Sequence, residues 1–391
     1  QPLVERYKAW VGQQRECMPN LNADRAETAK EMLLEAEATM YRIEAGIDLL
    51  KDPDVLTAFK TANRAVARAA RQRFATIQGK KPEDINAPRW RPFQLAYLLM
   101  TMRGIAEPGH ADRGIVDLLF FPTGGGKTEA YLGLAAFTLV LRRLRSKDAN
   151  GVPTIASAGV SVLMRYTLRL LTLDQLGRAA GLICALELER QEHETELGTW
   201  PFEIGLWVGQ AATPNYMGYR GDRSSRRKYS AYAKVTRFQR NEQNPSPIPL
   251  EDCPWCGTKF TRHSFRLVPN PQRPLDLRVH CANHECIFSG DKVLPIVAVD
   301  EPIYRRLPCF LIATVDKFAA LPWTGETGAL FGKVNRYDED GFYGPCSAGG
   351  GKALPEGCLP PPDLIIQDEL HLISGRSEER RVGKECVSEC R

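Results

Sequence analysis

The sequence predicts an α/β protein, a parallel sheet with helices on both faces, preceded by a helical domain and interrupted by a cysteine-bearing module. Three observations carry this. From residue 115 onward, short apolar runs alternate with helical stretches, which is the pattern of a parallel sheet covered on both sides. Residues 22–75 instead show an apolar stripe recurring every three or four positions. Residues 210–300 break the alternation with a polar, Pro-rich segment holding two cysteine pairs. The 391 residues suffice for two or three domains, and 43% hydrophobic with 25% charged residues excludes a disordered, collagen-like or membrane-spanning chain. The longest largely apolar stretch, 130–141, is too short to cross a bilayer. A net charge of +5 is mildly basic and does not by itself demand a nucleic-acid partner. The chain opens on Gln1 with no signal segment, so it is expected to be a fragment of a cytoplasmic protein.

The elements follow in order. Leu33, Ala36, Met40, Ile43, Ile47 and Leu50 form the stripe of a first helix. Asp52-Pro53 reads as an N-cap and first helical residue, opening a second helix with Val55, Ala58, Phe59, Ala62 and Val66 on one side. Its other side carries Arg64, Arg68, Arg71 and Arg73, read as a solvated face. A strand is expected over 115–121, a helix over 127–145, and a strand over 159–164. Thr172-Leu173-Asp174-Gln175 has capping-box spacing and opens a helix to about Glu196. Further strands are expected over 204–208, 310–314 and 364–367. Residues 325–361, with Gly349 to Gly351 and Pro360 to Pro362, read as a long loop. Its acidic run, Tyr337-Asp338-Glu339-Asp340, is expected either to be solvated or, if the loop moves, to occupy a phosphate-binding groove.

Between the 115–121 run and the helix after it lies Phe121-Pro122-Thr123-Gly124-Gly125-Gly126-Lys127-Thr128. Glycines let backbone N–H groups turn around phosphates, and the new helix points its positive end at them. Lys127 is expected to reach the β- and γ-phosphates of ATP and Thr128 to ligate Mg²⁺. The first glycine of the general motif is absent, because Phe121 occupies its place. Leu364 to Gln367 runs into Asp368-Glu369-Leu370-His371. There Asp368 is expected to hold Mg²⁺ and Glu369 to orient and deprotonate the attacking water.

Asp-Glu-x-His after such a strand, with Pro-Thr-Gly-Gly-Gly-Lys-Thr upstream, resembles the superfamily-two helicases, which often lack that first glycine. The resemblance implies a RecA-like motor lobe, with His371 completing the catalytic acidic motif and Thr123, Gly124, Gly125 and Gly126 cradling ATP. It places an adenine-reading Gln94 in Arg91-Pro92-Phe93-Gln94, nucleic-acid contacts at Arg165 and Arg169, and phosphate-backbone contacts at Thr314 and Lys317. The segments Asp117 to Tyr131, Met164 to Gln175 and Ile366 to Gly375 look like the helicase subunit of the DISARM anti-phage defence system. That resemblance implies DNA as substrate, single-stranded or with single-stranded ends. It also implies a scaffold-like subunit, a phospholipase-D-type protein and a DNA methyltransferase as partners, and no membrane. The chain ends soon after Glu369, so the second motor lobe is expected to lie outside it.

Cys253-Pro254-Trp255-Cys256 is followed by Cys281 and Cys286. Paired thiolates on tight turns suit a tetrahedral, structural Zn²⁺, with His263, His280 or His284 able to replace one ligand. Just upstream, residues 220–240 hold Arg220, Arg223, Arg226, Arg227, Lys228, Lys234, Arg237 and Arg240 against one acid, Asp222. With Tyr229, Tyr232 and Phe238 interleaved, the stretch reads either as a nucleic-acid contact centred on Arg226, Arg227 and Lys228 or as a solvated loop. The expected organisation is a helical domain over 1–84, a motor lobe over 85–209 and 301–375, an inserted basic and zinc-binding module over 210–300, and a non-native tail over 376–391. The function expected is an ATP-dependent nucleic-acid helicase or translocase. The alternative is a P-loop ATPase acting on protein assemblies, which gives the basic stretch no role.

Overall fold

In the computed structural model the described residues are 2–20, 22–121, 125–166, 173–209, 212–319, 321–345, 347 and 350–368. Thr123, Gly124, Arg169, Glu369, His371 and the 376–391 tail lie outside them. Two compact units divide the chain, one of residues 1–67 and 87–141, the other of residues 68–86 and 142–391.

The first unit is helical. It holds α1 (Pro2–Cys17), α2 (Ala23–Leu49), the first half of α3 (Pro53–Gln78), α4 (Pro92–Ala106) and most of α5 (Lys127–Arg145). The expected stripe is buried at Leu33, Met40 and Ile43. Asp52 caps α3 as read, its Oδ1 accepting from the N–H groups of Asp54 at 2.8 Å and Val55 at 3.2 Å. Two helices escaped the periodicity. α1 is polar nearly all round and buries only Val11, whereas α4 has no polar stripe and buries Leu98, Leu99 and Met102. α2 crosses α4 with their backbones touching, because a Cβ on Gly46 would fall 1.9 Å from the Leu99 carbonyl oxygen.

The strand expected over 115–121 is corrected. The segment is extended and alternates in exposure, but it pairs with no strand among the described residues. Val116, Leu118 and Phe120 are 95%, 71% and 89% exposed, while the opposite face is half-buried. A side-chain anchor replaces the ladder: Asp117, which interrupts the apolar run, takes a bidentate ion pair from Arg42 of α2 at 2.6 and 2.8 Å. That pairing, with burial opposing it and Asp112 assisting, raises the Arg42 pKa above its usual value.

The second unit is α/β. Its elements are β1 (Val162–Tyr166), α6 (Leu173–Glu192), α7 (Glu194–Leu197), β2 (Ile204–Trp207), α8 (Ala231–Arg240), β3 (Phe265–Val268), β4 (Asp276–Val279), β5 (Ile296–Val297), α9 (Asp300–Arg306), β6 (Phe310–Thr314), α10 (Val315–Ala319), β7 (Arg336–Asp338), β8 (Gly341–Tyr343), β9 (Lys352–Ala353) and β10 (Leu364–Gln367). Five strands form a wholly parallel sheet in the order β10-β1-β6-β2-β5. β6 is buried at every position, as a central strand covered on both faces must be. β1 begins three residues later than expected, after Gly159 at φ +87°. The helix expected to reach Glu196 stops at Glu192, and α7 follows as a separate turn closed by Gly198 at φ +79°. The arginine face of α3 is less free than read: Arg68 pairs with Glu192 at 2.9 Å and Arg73 with Asp174 at 2.7 Å.

The long-loop reading of 325–361 is also corrected. β8, β7 and β9 form a small antiparallel sheet, and Leu330, Val334, Phe342, Leu354 and Leu359 are buried against Trp207, Leu311 and Ala313 of the main sheet. Asp338 turns its Oδ1 to the N–H groups of Asp340 and Gly341 and to the Tyr343 hydroxyl. Asp338, read as either solvated or mobile, stitches a hairpin turn. Among the described residues no helix is long and apolar enough to cross a membrane.

Candidate functional sites

In the first unit the glycine-rich turn is held by the N-terminus of α4. Pro92 opens that helix at the position where a missing N–H costs nothing. Gln94, 4% exposed, uses both ends of its amide: Oε1 accepts from the Arg91 N–H at 2.8 Å, and Nε2 donates to the Gly126 carbonyl at 2.8 Å. Arg91 donates through Nη1 to the Gly125 carbonyl at 2.8 Å. Phe93 stacks on Phe121 with centroids 4.0 Å apart, and Lys127 Nζ donates to the Phe121 carbonyl at 2.6 Å. Gly126 sits at φ +90°, and a Cβ there would fall 2.7 Å from Gln94 Nε2. Lys127 and Thr128 form the first turn of α5, and the positive end of a helix favours an anion. Gln94, expected to read adenine, here fixes the loop backbone. Arg91 is the residue the sequence reading undervalued; the signal was its place as the N-cap residue one turn before that glutamine.

In the second unit the predicted residues gather at the C-terminal ends of the parallel strands, where open α/β sheets bind ligands. Arg165 pairs in register with Ala313 and Gln367, and Tyr166 with Thr314. Asp368, one residue past β10, donates its N–H to the Arg165 carbonyl at 3.2 Å. The Arg165 guanidinium lies 5.7 Å over the Phe318 ring, and its buried Nε has no hydrogen-bond partner. Thr314 Oγ1 is likewise buried and unpartnered. Lys317, expected to face a phosphate backbone, points inward instead. It is 8% exposed, ion-paired with Asp300, and donates to Asn215 Oδ1 at 3.1 Å. Burial pushes the Asp300 carboxyl up to about 6, against the opposing pull of Lys317.

The cysteines converge in the same unit. Cys253 and Cys256 lie on one tight turn, closed by Cys253 N–H on the Thr258 carbonyl and by Gly257 at φ +72°. Cys281 and Cys286 lie on a second, closed by Cys281 N–H on the Phe288 carbonyl. All four sulfurs fall within 4.8 Å of one another, with Cys256 Sγ and Cys281 Sγ 3.4 Å apart, so the set can hold a metal ion. None of the three candidate histidines joins it; His280 turns its Nδ1 to the Lys292 carbonyl at 3.1 Å. The β3–β4 hairpin bridges the two turns. α8 packs on that hairpin, with Phe238 edge-on to Phe265 at 5.4 Å and Gln239 donating to the Phe265 carbonyl at 3.2 Å. The basic stretch and the cysteine cluster are therefore one module. Of its eight cations all but Lys234 are exposed, and Lys234, its pKa lowered by burial, donates to the Ala212 carbonyl.

No family model matches the chain. The chain is 38% identical over 392 aligned positions to a curated protein, the DISARM protein DrmA of Bacillus paralicheniformis. The match covers 95% of this chain and 34% of that protein, so the chain spans about a third of the length of the curated relative it matches. The DISARM resemblance read from three short segments thus extends over nearly the whole chain.

Proposed function

We propose that this chain is the first, RecA-like lobe of an ATP-driven nucleic-acid motor, a helicase or translocase that acts on DNA in bacterial anti-phage defence. The observation that carries the ATP reading is the glycine-rich turn clamped by Arg91 and Gln94 at the start of α5. Lys127, with the backbone of Thr123 to Gly126, would hold the phosphates, and Thr128 and Asp368 would ligate Mg²⁺. Glu369 would take the proton of the attacking water, with His371 beside it in the motif. The unpartnered Arg165 Nε and Thr314 Oγ1 at the strand ends suit a polar ligand there, with Arg169 and Lys317 as further contacts of the nucleic acid. Arg226, Arg227 and Lys228, on the cysteine module, would add further phosphate contacts. The cysteine set fits Zn²⁺, since four thiolates at ~2.3 Å from one ion stand ~3.8 Å apart. With four protein ligands the ion would be structural. The 38% identity to a DISARM protein supports the defence role and makes other subunits of such a system the expected partners.

The test is nucleotide binding and DNA-stimulated hydrolysis by the full-length protein. Lys127→Ala should abolish ATP binding, whereas Glu369→Gln should keep binding and stop turnover. Hydrolysis at the wild-type rate in Lys127→Ala would remove the ATP assignment. The protein-assembly alternative predicts turnover that DNA does not change.

A further inference from the structure

Residues 218–230 form a closed surface loop. Its base is tied by two backbone hydrogen bonds, Ala231 N–H to the Tyr216 carbonyl at 3.0 Å and Tyr232 N–H to the Met217 carbonyl at 2.9 Å. Gly218, at φ +62°, lies so close to Ser230 that a Cβ would come within 2.4 Å of it. On the outer side, the Arg220 N–H donates to the Pro271 carbonyl of the β3–β4 connection at 2.9 Å. Successive turns follow, Asp222 N–H to the Tyr219 carbonyl, Arg227 N–H to Ser224 and Tyr229 N–H to Arg226. Such compact loops with pinned ends are frequently functional.

What this loop presents is unusual for a protein surface. Arg220, Arg223, Arg226, Arg227 and Lys228 are all exposed, and no ion pair engages them among the described residues. The one acid, Asp222, spends an oxygen on the Ser224 N–H at 2.8 Å, capping a turn. Tyr219 and Tyr229 flank the cations and are 50% and 42% exposed, with Lys228 Nζ 4.7 Å over the Tyr229 ring. By contrast Phe238, another aromatic of the basic stretch, is buried on Phe265 and holds the module together.

We propose that the loop face carrying Tyr219, Arg223, Arg226, Arg227, Lys228 and Tyr229 is an anchor for single-stranded nucleic acid. Cations neutralise the phosphates, while the two half-exposed tyrosine rings take unpaired bases, which a duplex keeps stacked and out of reach. The proposal rests on the nucleic-acid reading above and adds the site and the residues that select a single strand. The anchor acts without nucleotide, because the loop is preformed by its own backbone bonds. An acidic protein would satisfy the cations but gives the exposed tyrosines no comparable role.

The test is fluorescence anisotropy of the full-length protein without nucleotide, using a labelled twenty-residue oligo-dT, a duplex of equal length and poly-glutamate. All variants lie on exposed side chains, and thermal melting checks that each remains folded. Tyr219→Ala and Tyr229→Ala should each weaken oligo-dT binding about tenfold and leave duplex binding unchanged. The triple variant Arg226→Ala, Arg227→Ala, Lys228→Ala should flatten the log–log salt slope for oligo-dT by about 2, three contacts at about 0.7 each. Equal losses on duplex and single strand in the tyrosine variants would overturn the single-strand assignment. Wild-type binding of oligo-dT that neither set of variants weakens would overturn the anchor and leave the motor reading standing. Failure of the wild type to bind any oligonucleotide would overturn both. Tighter binding of poly-glutamate than of oligo-dT, lost in the triple variant, would make the face a protein-docking surface and end the proposal.

Discussion

Arg142 lies in the last turn of α5, and its side chain is only 6% exposed. It donates to Asp363 Oδ2 at 2.9 Å and to the carbonyls of Ala158 at 2.9 Å, Pro360 at 2.9 Å and Pro361 at 3.0 Å. One guanidinium therefore fastens the chain entering β10 to the chain entering β1, and Asp368 lies one residue past β10. Arg142→Met keeps most of the apolar stem and removes every donor. The buried Ala158 carbonyl would then lack this partner, costing about 1–2 kcal/mol. Asp363 is 32% exposed and rehydrates in part, so its ion pair is worth about 1 kcal/mol, well under the figure for a fully buried pair. The two proline carbonyls face water and add a few tenths, giving a total of about 3 kcal/mol. Hydrogen exchange read by mass spectrometry is the assay. Protection over 359–368 should fall about a hundredfold, at 1.4 kcal/mol per tenfold, with peptides of α8 unchanged. In Arg142→Met/Asp363→Asn the two effects should fall short of additivity by about 1 kcal/mol. Exchange over 359–368 within threefold of wild type would refute the fastening, whatever the melting temperature does.

Metal analysis should find about one Zn²⁺ per chain, lost in Cys253→Ser/Cys256→Ser; its absence from protein purified without chelator would remove the zinc assignment. Gly126→Ala should weaken ATP binding at least tenfold with little change in melting, since the added Cβ strains a φ of +90° and strikes Gln94; unchanged affinity would mean the loop does not need this geometry. Asp300 has its pKa raised to about 6, by burial foremost and by Glu301 nearby, against Lys317, so folding retains a proton there that the unfolded chain releases near 4. Its contribution to stability is thus greatest below pH 4 and declines by about 3 kcal/mol as pH rises to 6; denaturant melts of wild type and Asp300→Asn should diverge in slope across that window and run parallel above it.

The strands that carry the site were legible because each reads as a short apolar run, β6 buried throughout and β10 at the sheet edge with Ile365 66% exposed. Phe310 to Thr314 and Leu364 to Gln367 fall where the sequence puts them. Helices α2 and α3 were legible through their stripes and Asp52-Pro53, and α5 as the helical stretch that follows the glycine-rich turn. The failures have physical reasons. α4 is apolar on every side, which erases periodicity. The 325–361 segment has the glycines and prolines of a loop, yet its five buried apolar residues are spaced to meet a sheet face that only the tertiary fold supplies. Residues 115–121 have the composition of a strand, but composition names no partner, and the segment is tethered by Arg42 instead. The paired cysteines were legible from spacing alone, whereas the exposure of Tyr219 and the burial of Phe238 were not, since both are aromatics beside arginines in the chain.

The polar residues near the candidate sites divide by what they grip. Gln94 and Arg91 hold carbonyls of the glycine-rich turn, Arg142 holds carbonyls ahead of β10, and Lys317 is bound to Asp300. Each fixes protein backbone or an internal charge, so each is fitted to position a ligand-binding segment. Polar capacity is left unmet at Arg165 Nε and Thr314 Oγ1 at the strand ends and on the cations of the 218–230 loop, as well as at Arg142 Nε and Asp300 Oδ1. A buried donor with no partner and an exposed cation with no counter-ion both lower their free energy by meeting an anion or a polar acceptor. The distinction explains why motif position alone does not settle the role of Lys317. A lysine at a strand end reads as a phosphate contact, but once Asp300 is buried beside it, the ion pair claims the charge. Lys317 would reach a phosphate only if Asp300 were neutralised or moved, so its contribution to binding should grow as pH falls below 6, where Asp300 takes up a proton.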